Sequence, residues 1–314
     1  MSLTIISPGL LTTVQDGGRF GHAAIGVGTC GAMDAVALRL ANILVGNPEN
    51  AAGLEITLRG PRLRCDAECL IALTGAPIEA RCDGASVPMW RPLSVRTGKQ
   101  LDFGGMRRGA RSYLAVAGGL QTEPLLGSRS VDVNAGIGRA LVAGDVLPII
   151  SSASVSAKWS LDPLPWFGDL TEPIRIVGGT HFSRLDTESQ STLFAEEFRI
   201  GADSNRVGYR LDGARLALGD PLELVSAGVV PGTVQLPPGG TPIVLMAEAP
   251  TVGGYPRIAH ISEVDLPRLA QYRPGARVRF TQVSPEAAQT LYLERERAIT
   301  ALAQTVRERL HEQH

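Results

Sequence analysis

The chain has 314 residues, 30 of them basic and 31 acidic, for a formal net charge of −1. That balance excludes binding to nucleic acid through a general cationic surplus, and the length allows two domains with buried cores. With 36 glycines, 21 prolines and only 5% aromatic residues, the composition predicts short strands joined by tight turns.

No apolar run approaches the ~20 residues of a membrane helix. The first residues carry neither the basic start nor the apolar stretch of a secretory signal, so a cytoplasmic protein with a strand at its start is expected. Cys30, Cys65, Cys69 and Cys82 and five dispersed histidines make neither a disulfide framework nor a zinc set. Reduced thiols and no bound metal are expected.

The turn over residues 8–21 (PGLLTTVQDGGRFG) holds Asp16 and Arg19 three residues apart in a glycine-rich setting. Two readings fit: a pair poised for a substrate, or an ion pair that pins the turn. Gly26, Gly28 and Gly31 match a Gly-x-Gly-x-x-Gly dinucleotide fingerprint. Residues 19–25 make a poor hydrophobic strand before it, so a glycine-rich loop capping a helix is the better reading. Apolar residues at helical spacing then predict a helix over 32–45, stopped by Gly46-Asn47-Pro48.

Short apolar runs bounded by Gly, Pro or Asp predict strands at 54–58, 69–73, 111–116, 174–177, 222–225, 243–247 and 277–280. Ser128 and Ser130 read as loop hydrogen-bonders, with no base suggested nearby. The low-complexity stretch that opens at 151, followed by Pro163, Pro165 and Pro173, predicts a linker. A second helix is expected over 285–310, with Ser284 as N-cap, Pro285 at the first helical position and a stripe of Ile299, Leu302, Val306 and Leu310.

The two halves echo each other in the turns Arg19-Phe20-Gly21 and Arg206-Val207-Gly208, as distant copies would. The turn Gly253-Gly254-Tyr255-Pro256-Arg257 lets backbone approach a ligand closely and offers a phenol and a fixed cation. An ordinary surface turn is the alternative. The residues expected to carry chemistry are Asp16, Arg19, Arg206 and Tyr255. Gln15, Asp34, Gln235, Gly253, Gly254 and Arg257 are expected to bind substrate. As charges in surface loops, Arg19 and Arg206 are expected to contribute within about ±0.5 kcal/mol to folding.

The ordered motifs PGLLTTVQDGGRFG (8–21), GAMDAVALRLANILVGNP (31–48), LEITLRGP (54–61), LTGA (73–76), RSYLAVAGGL (111–120), LGSRS (126–130), NRVGYRLDG (205–213), PGTVQL (231–236), TVGGYPRI (251–258) and LPRLAQYRPG (266–275) resemble the family of the 5-oxoprolinase C subunit. That family is also described as allophanate hydrolase subunit 2-like or as biotin-dependent carboxyltransferase proteins. The resemblance implies a mostly β fold of two cyclophilin-like β-barrel domains at 1–150 and 172–284, a linker at 151–171, and helices in the N-terminal half and at 285–314. It implies one component of an ATP-dependent enzyme that opens 5-oxoproline to glutamate, working with a B-like (allophanate hydrolase subunit 1-like) protein and an A-like protein and inactive alone. No covalently bound cofactor is implied, ATP being used by the whole complex.

Two alternatives lie inside the resemblance. One is the carboxyltransferase component of a biotin-dependent urea or amide carboxylase, with biotin on a separate carrier. The other is a non-catalytic regulator that binds a B-like partner. The sequence departs from the family pattern before the double glycine, where Asp-x-Gln-Thr is replaced by Glu248-Ala249-Pro250-Thr251.

Overall fold

The computed structural model describes residues 1–150 and 159–312. Two compact units emerge, Met1–Arg19 with Asp34–Gly168 and Arg297–His314, and Phe20–Met33 with Asp169–Glu296. Both are discontinuous in sequence: the segment Phe20–Met33 groups with the second unit, and the C-terminal helix contributes a part to each. Residues 151–158 of the expected linker lie outside the described residues. Its remainder holds a short helix, Leu164–Phe167.

The first unit has two sheets. One runs in the order Leu11–Gln15, Gly53–Thr57, Arg111–Val116, Cys69–Gly75, Pro92–Val95, antiparallel throughout. Every residue of Cys69–Gly75 and Arg111–Val116 is buried, which is why residues 69–73 and 113–116 read as continuous apolar runs: a strand covered on both faces has no reason to alternate. The helix Ala35–Leu44 packs on these two strands. It begins where the Asp34 carboxylate accepts the amide of Ala37 at 2.8 Å, a cap worth about 1 kcal/mol. It ends at Gly46, whose φ of 77° needs glycine. Asn47 Nδ2 then donates to the Val116 carbonyl at 2.8 Å and ties the helix end to the sheet. The six-stranded second sheet includes Arg62–Cys65, which alternates exposed and buried as a strand with one wet face must.

The second unit is built on an eight-stranded sheet. Arg277–Val278 pairs with Phe198–Ile200 at one end of the strand order, and Phe280–Gln282 pairs in parallel with Ile174–Gly178 at the other. Only Arg279 separates these two edge segments, so the ends of the sheet meet in one stretch of chain and the sheet curls into a nearly closed barrel. Ile174, Leu193, Phe198, Leu211, Val244 and Ile258 lie in its core.

The protein is mostly β, as the resemblance implies. The predicted helices occur as Ala35–Leu44 and Pro285–His311, the latter with the amide of Ala287 donating to the Ser284 hydroxyl at 3.2 Å and with Ile299 and Val306 buried. Two expectations are corrected. A further helix, Thr187–Ala195, is capped by the Asp186 carboxylate; its sequence buries only Ser189 and Leu193, too little for an apolar stripe. Residues 222–225 form no strand, and Val225 is 92% exposed. An apolar run with no sheet face to cover stays in the loop. No helix among the described residues is long and apolar enough to cross a membrane.

Candidate functional site

In the first unit, the strand Leu11–Gln15 delivers Gln15 and Asp16 into the glycine turn. Gln15 is buried and donates from Nε2 to the Val131 carbonyl at 2.8 Å and to Thr13 Oγ1 at 3.1 Å. Asp16 Oδ1 accepts the hydroxyls of Ser128 and Ser130, both at 2.6 Å, and the amide of Gly18 at 2.9 Å; Oδ2 accepts the amide of Arg129 at 2.6 Å. A carboxylate so committed organises its loop. Oδ2 takes the Arg129 amide as its single donor, which leaves it a lone pair. Ser128 and Ser130 are the loop hydrogen-bonders the sequence suggests.

Arg19 is corrected from a surface residue to a buried one, at 1% exposure. Its Nε donates to the Leu125 carbonyl at 3.0 Å and its Nη2 to that of Ser130 at 2.8 Å, while Nη1 has no acceptor. Asp16 and Arg19 form no ion pair. Leu125 and Ser128 bridge each other across a two-residue turn, with Leu126 at φ 52° and Gly127 at φ 80°, the doubly left-handed geometry of tight hairpins. This turn fixes both the Leu125 carbonyl that holds Arg19 and the Ser128 hydroxyl that holds Asp16.

Beside them lies a cavity of ≈ 360 Å³ whose walls include Arg19, Thr122, Glu123, Arg129, Arg139 and Asp145. Arg139 and Asp145 pair at 2.7 Å through both guanidinium nitrogens, which holds the Asp145 carboxyl below its ordinary range. Asp34, expected to bind substrate, is the helix cap described above. Its amide donates to the Tyr113 hydroxyl at 2.7 Å, and that hydroxyl donates to Glu55 at 2.7 Å. Burial, then the Glu55 charge, pushes the Tyr113 phenol well above its usual value.

In the second unit, Arg206 is also buried rather than on the surface. Its Nε meets Glu248 Oε1 at 2.6 Å, and its Nη2 donates to the Gly31 carbonyl at 2.6 Å. Glu248 was missed as a site residue. Its signal is the acid that the family pattern carries at that position, here Glu for Asp. Gln235 is buried with Nε2 unpartnered. A Cβ at Gly253 would stand 2.4 Å from that nitrogen, so a side chain there would push the Gln235 amide aside.

Tyr255 is 45% exposed. Arg257 is half-buried and pins its turn, with Nη1 on the Gly228 carbonyl at 3.3 Å and its amide on His181 Nδ1 at 3.1 Å. The structure thus brings Gln15, Asp16 and Arg19 together in one unit and Gln235 with Gly253 in the other. The segment before the Gly26–Gly31 loop is a 3₁₀ turn, Ala23–Ile25, rather than the strand a dinucleotide site needs. Among the described residues, no group of three or more His, Cys, Asp or Glu side chains is placed to hold a metal.

Fold and sequence together define a class. The family model for the carboxyltransferase domain, subdomain A and B, matches residues 25–282, and the chain belongs to that family. It is 43% identical over 307 residues to the C subunit of 5-oxoprolinase from Escherichia coli, covering 96% of this chain and 97% of that protein. It is 38% identical over 283 residues to the C subunit of 5-oxoprolinase from Haemophilus influenzae, covering 89% and 90%. The crystal structure of Kluyveromyces lactis urea carboxylase superposes with a TM-score of 0.87 at 28% identity over 96% of this chain, which spans only 29% of that chain. The chain spans 56% of a further solved protein that it matches at a TM-score of 0.81 and 36% identity.

Proposed function

We propose that this chain is the C subunit of a heteromeric ATP-dependent 5-oxoprolinase. The observation that carries the reading is 43% identity to the C subunit of E. coli 5-oxoprolinase over nearly the full length of both proteins. The reaction opens a lactam. ATP phosphorylates the ring amide oxygen and leaves as ADP; one water adds its oxygen to the carbonyl carbon, the C–N bond breaks with the nitrogen taking a proton as an amine, and a second water cleaves the resulting acyl phosphate to glutamate and inorganic phosphate. Such chemistry needs donors where charge develops on oxygen and a clamp on the substrate. Gly253, Gly254 and the exposed Tyr255 phenol supply backbone and hydroxyl for a clamp, with Gln235 Nε2 as a further donor. Asp16 and Arg206 hold the loops.

ATP is a substrate of the whole complex, and the B-like and A-like proteins complete it in the cytoplasm. The test is co-expression with both partners followed by glutamate release from 5-oxoproline. Turnover that requires all three chains and ATP supports the reading; a fully active isolated chain overturns it. A second reading, a carboxyltransferase component using biotin on a separate carrier, is favoured by the superposition on urea carboxylase. Activity abolished by avidin and independent of the A-like protein would select it.

A further inference from the structure

The turn that carries Gly253, Gly254 and Tyr255 ends at Arg257, and one histidine holds that end. The Arg257 amide donates to His181 Nδ1 at 3.1 Å, and the His181 amide donates to the Arg257 carbonyl at 3.0 Å. Two such bonds need the two chain segments in close contact. Gly179 allows it: a Cβ there would collide with the Arg257 carbonyl oxygen and stand 2.8 Å from the Ala259 nitrogen, both of them backbone atoms with no freedom to swing aside. The strand Arg257–Ile261 is irregular at the same place. Thr233 pairs with His260 and Val234 with Ala259, but Gln235 pairs with Arg257, which leaves Ile258 over as a bulge. A bulge disrupts the ladder locally, and here the neighbouring Arg257 amide is taken by a side chain.

A backbone N–H only donates. His181 Nδ1 therefore presents a lone pair to it, and the proton of the neutral ring sits on Nε2. Protonation of Nδ1 sets two donors against each other and ends the bond. The imidazolium then has another partner: Thr180 Oγ1 lies 3.2 Å from the same nitrogen, and a hydroxyl oxygen accepts where an amide nitrogen does not. Each protonation state of the ring thus has its own neighbour. Burial first, then the charges of Arg257 on the facing strand and Arg184 on the ring's own 3₁₀ turn, hold His181 below its ordinary 6.5, so the exchange of partners falls on the acid side of that value.

We propose that His181 is a proton-operated latch on the Gly253–Arg257 turn: the neutral ring holds the Arg257 amide, and the protonated ring turns to the Thr180 hydroxyl and loosens the end of the turn. The Leu236 amide on the Pro256 carbonyl at 2.9 Å and Arg257 Nη1 on the Gly228 carbonyl at 3.3 Å remain when the latch opens, so the change is local. Its consequence for substrate rests on the oxoprolinase reading, in which this turn is the clamp; the latch itself does not.

The test follows the isotope-labelled full chain by NMR across about pH 5–7. At the neutral end the His181 ring should carry its proton on Nε2. As the ring titrates, protection of the Arg257 amide against hydrogen exchange should fall about fivefold, the loss of one hydrogen bond. The Ile261 amide, on the Gly232 carbonyl at 2.8 Å, should keep its protection. His181→Asn supplies a carbonyl oxygen that accepts without titrating, and should preserve the Arg257 protection through the whole range. Thr180→Val removes the acceptor of the protonated ring and should move the His181 titration to lower pH. A ring proton on Nδ1 at neutral pH, Arg257 protection that ignores the titration, a His181→Asn chain that loses protection over the same range, or an unmoved midpoint in Thr180→Val overturns the proposal. A latch that opens in a chain whose assembled complex leaves 5-oxoproline intact upholds the proposal and rejects the oxoprolinase reading.

Discussion

Replacing Arg206 by alanine removes the counter-charge of Glu248 inside the second unit. Both residues are buried, at 5% and 6% exposure, and their contact is 2.6 Å. Deleting one partner of a buried pair strands the other charge and costs about 3–5 kcal/mol. The Gly31 carbonyl loses the Nη2 donor as well, so the upper part of that range is expected. At about 2–4 °C per kcal/mol for a protein of this size class, the melting temperature should fall by on the order of 10 °C. Scanning calorimetry of the isolated chain reads this directly. Arg206→Met combined with Glu248→Leu should lose less than the sum of the single replacements, because the double change strands no charge. A loss for Arg206→Ala within about 0.5 kcal/mol, the range of ordinary surface charges, would refute the reasoning and return Arg206 to the surface-loop role its sequence suggests.

Leu126→Asn should stabilise the chain by about 0.5–1 kcal/mol, because asparagine accepts the left-handed backbone that Leu126 holds at φ 52°; a lowered melting temperature contradicts the turn geometry. His260 is pulled below its ordinary 6.5 by burial, and His181 by burial and then the Arg257 and Arg184 charges. The unfolded chain therefore binds more protons than the folded one as pH falls below 6.5. Their contribution to stability is full above that value and is lost as pH drops through the lowered folded values. Denaturant titrations across about pH 5–7 should show this slope, and His260→Asn should flatten it; a slope of opposite sign refutes the assignment. Cys82 is the half-buried cysteine while Cys30, Cys65 and Cys69 are buried, all four as free thiols, so a thiol reagent should label one site in the native protein and four after unfolding. Burial, then Asp83, pushes the Cys82 thiol up, and its labelling should be slow near neutrality and accelerate with pH.

Much of the scaffold is legible because its signals are local. Residues 111–116 read as a strand from the consecutive apolar residues at 113–116, as a doubly covered strand needs. The first helix is announced by Asp34 at its start and Gly46 at its end. The helix Thr187–Ala195 escapes because its stability lies in the Asp186 cap and in Leu193, with no stripe between them. The site is less legible for a different reason. An arginine in a glycine-rich turn looks solvated, and nothing adjacent to Arg19 or Arg206 reveals that carbonyls more than a hundred residues away in sequence enclose them. Burial of this kind is a long-range property. The glycine-rich setting and the order of motifs point to these turns, and neither points to the burial of their arginines.

The two Arg-x-Gly turns show how similar local sequence acquires different chemistry. In each, a buried guanidinium is held by backbone carbonyls of a distant loop, Leu125 and Ser130 for Arg19 and Gly31 for Arg206. Glu248 closes the second arrangement electrically, and what remains is a strut. The first has no such acid, and the loop that encloses it carries Leu126 in a backbone conformation that a β-carbon disfavours. An unpartnered guanidinium nitrogen and a left-handed leucine are both losses for folding, and they fall in one loop.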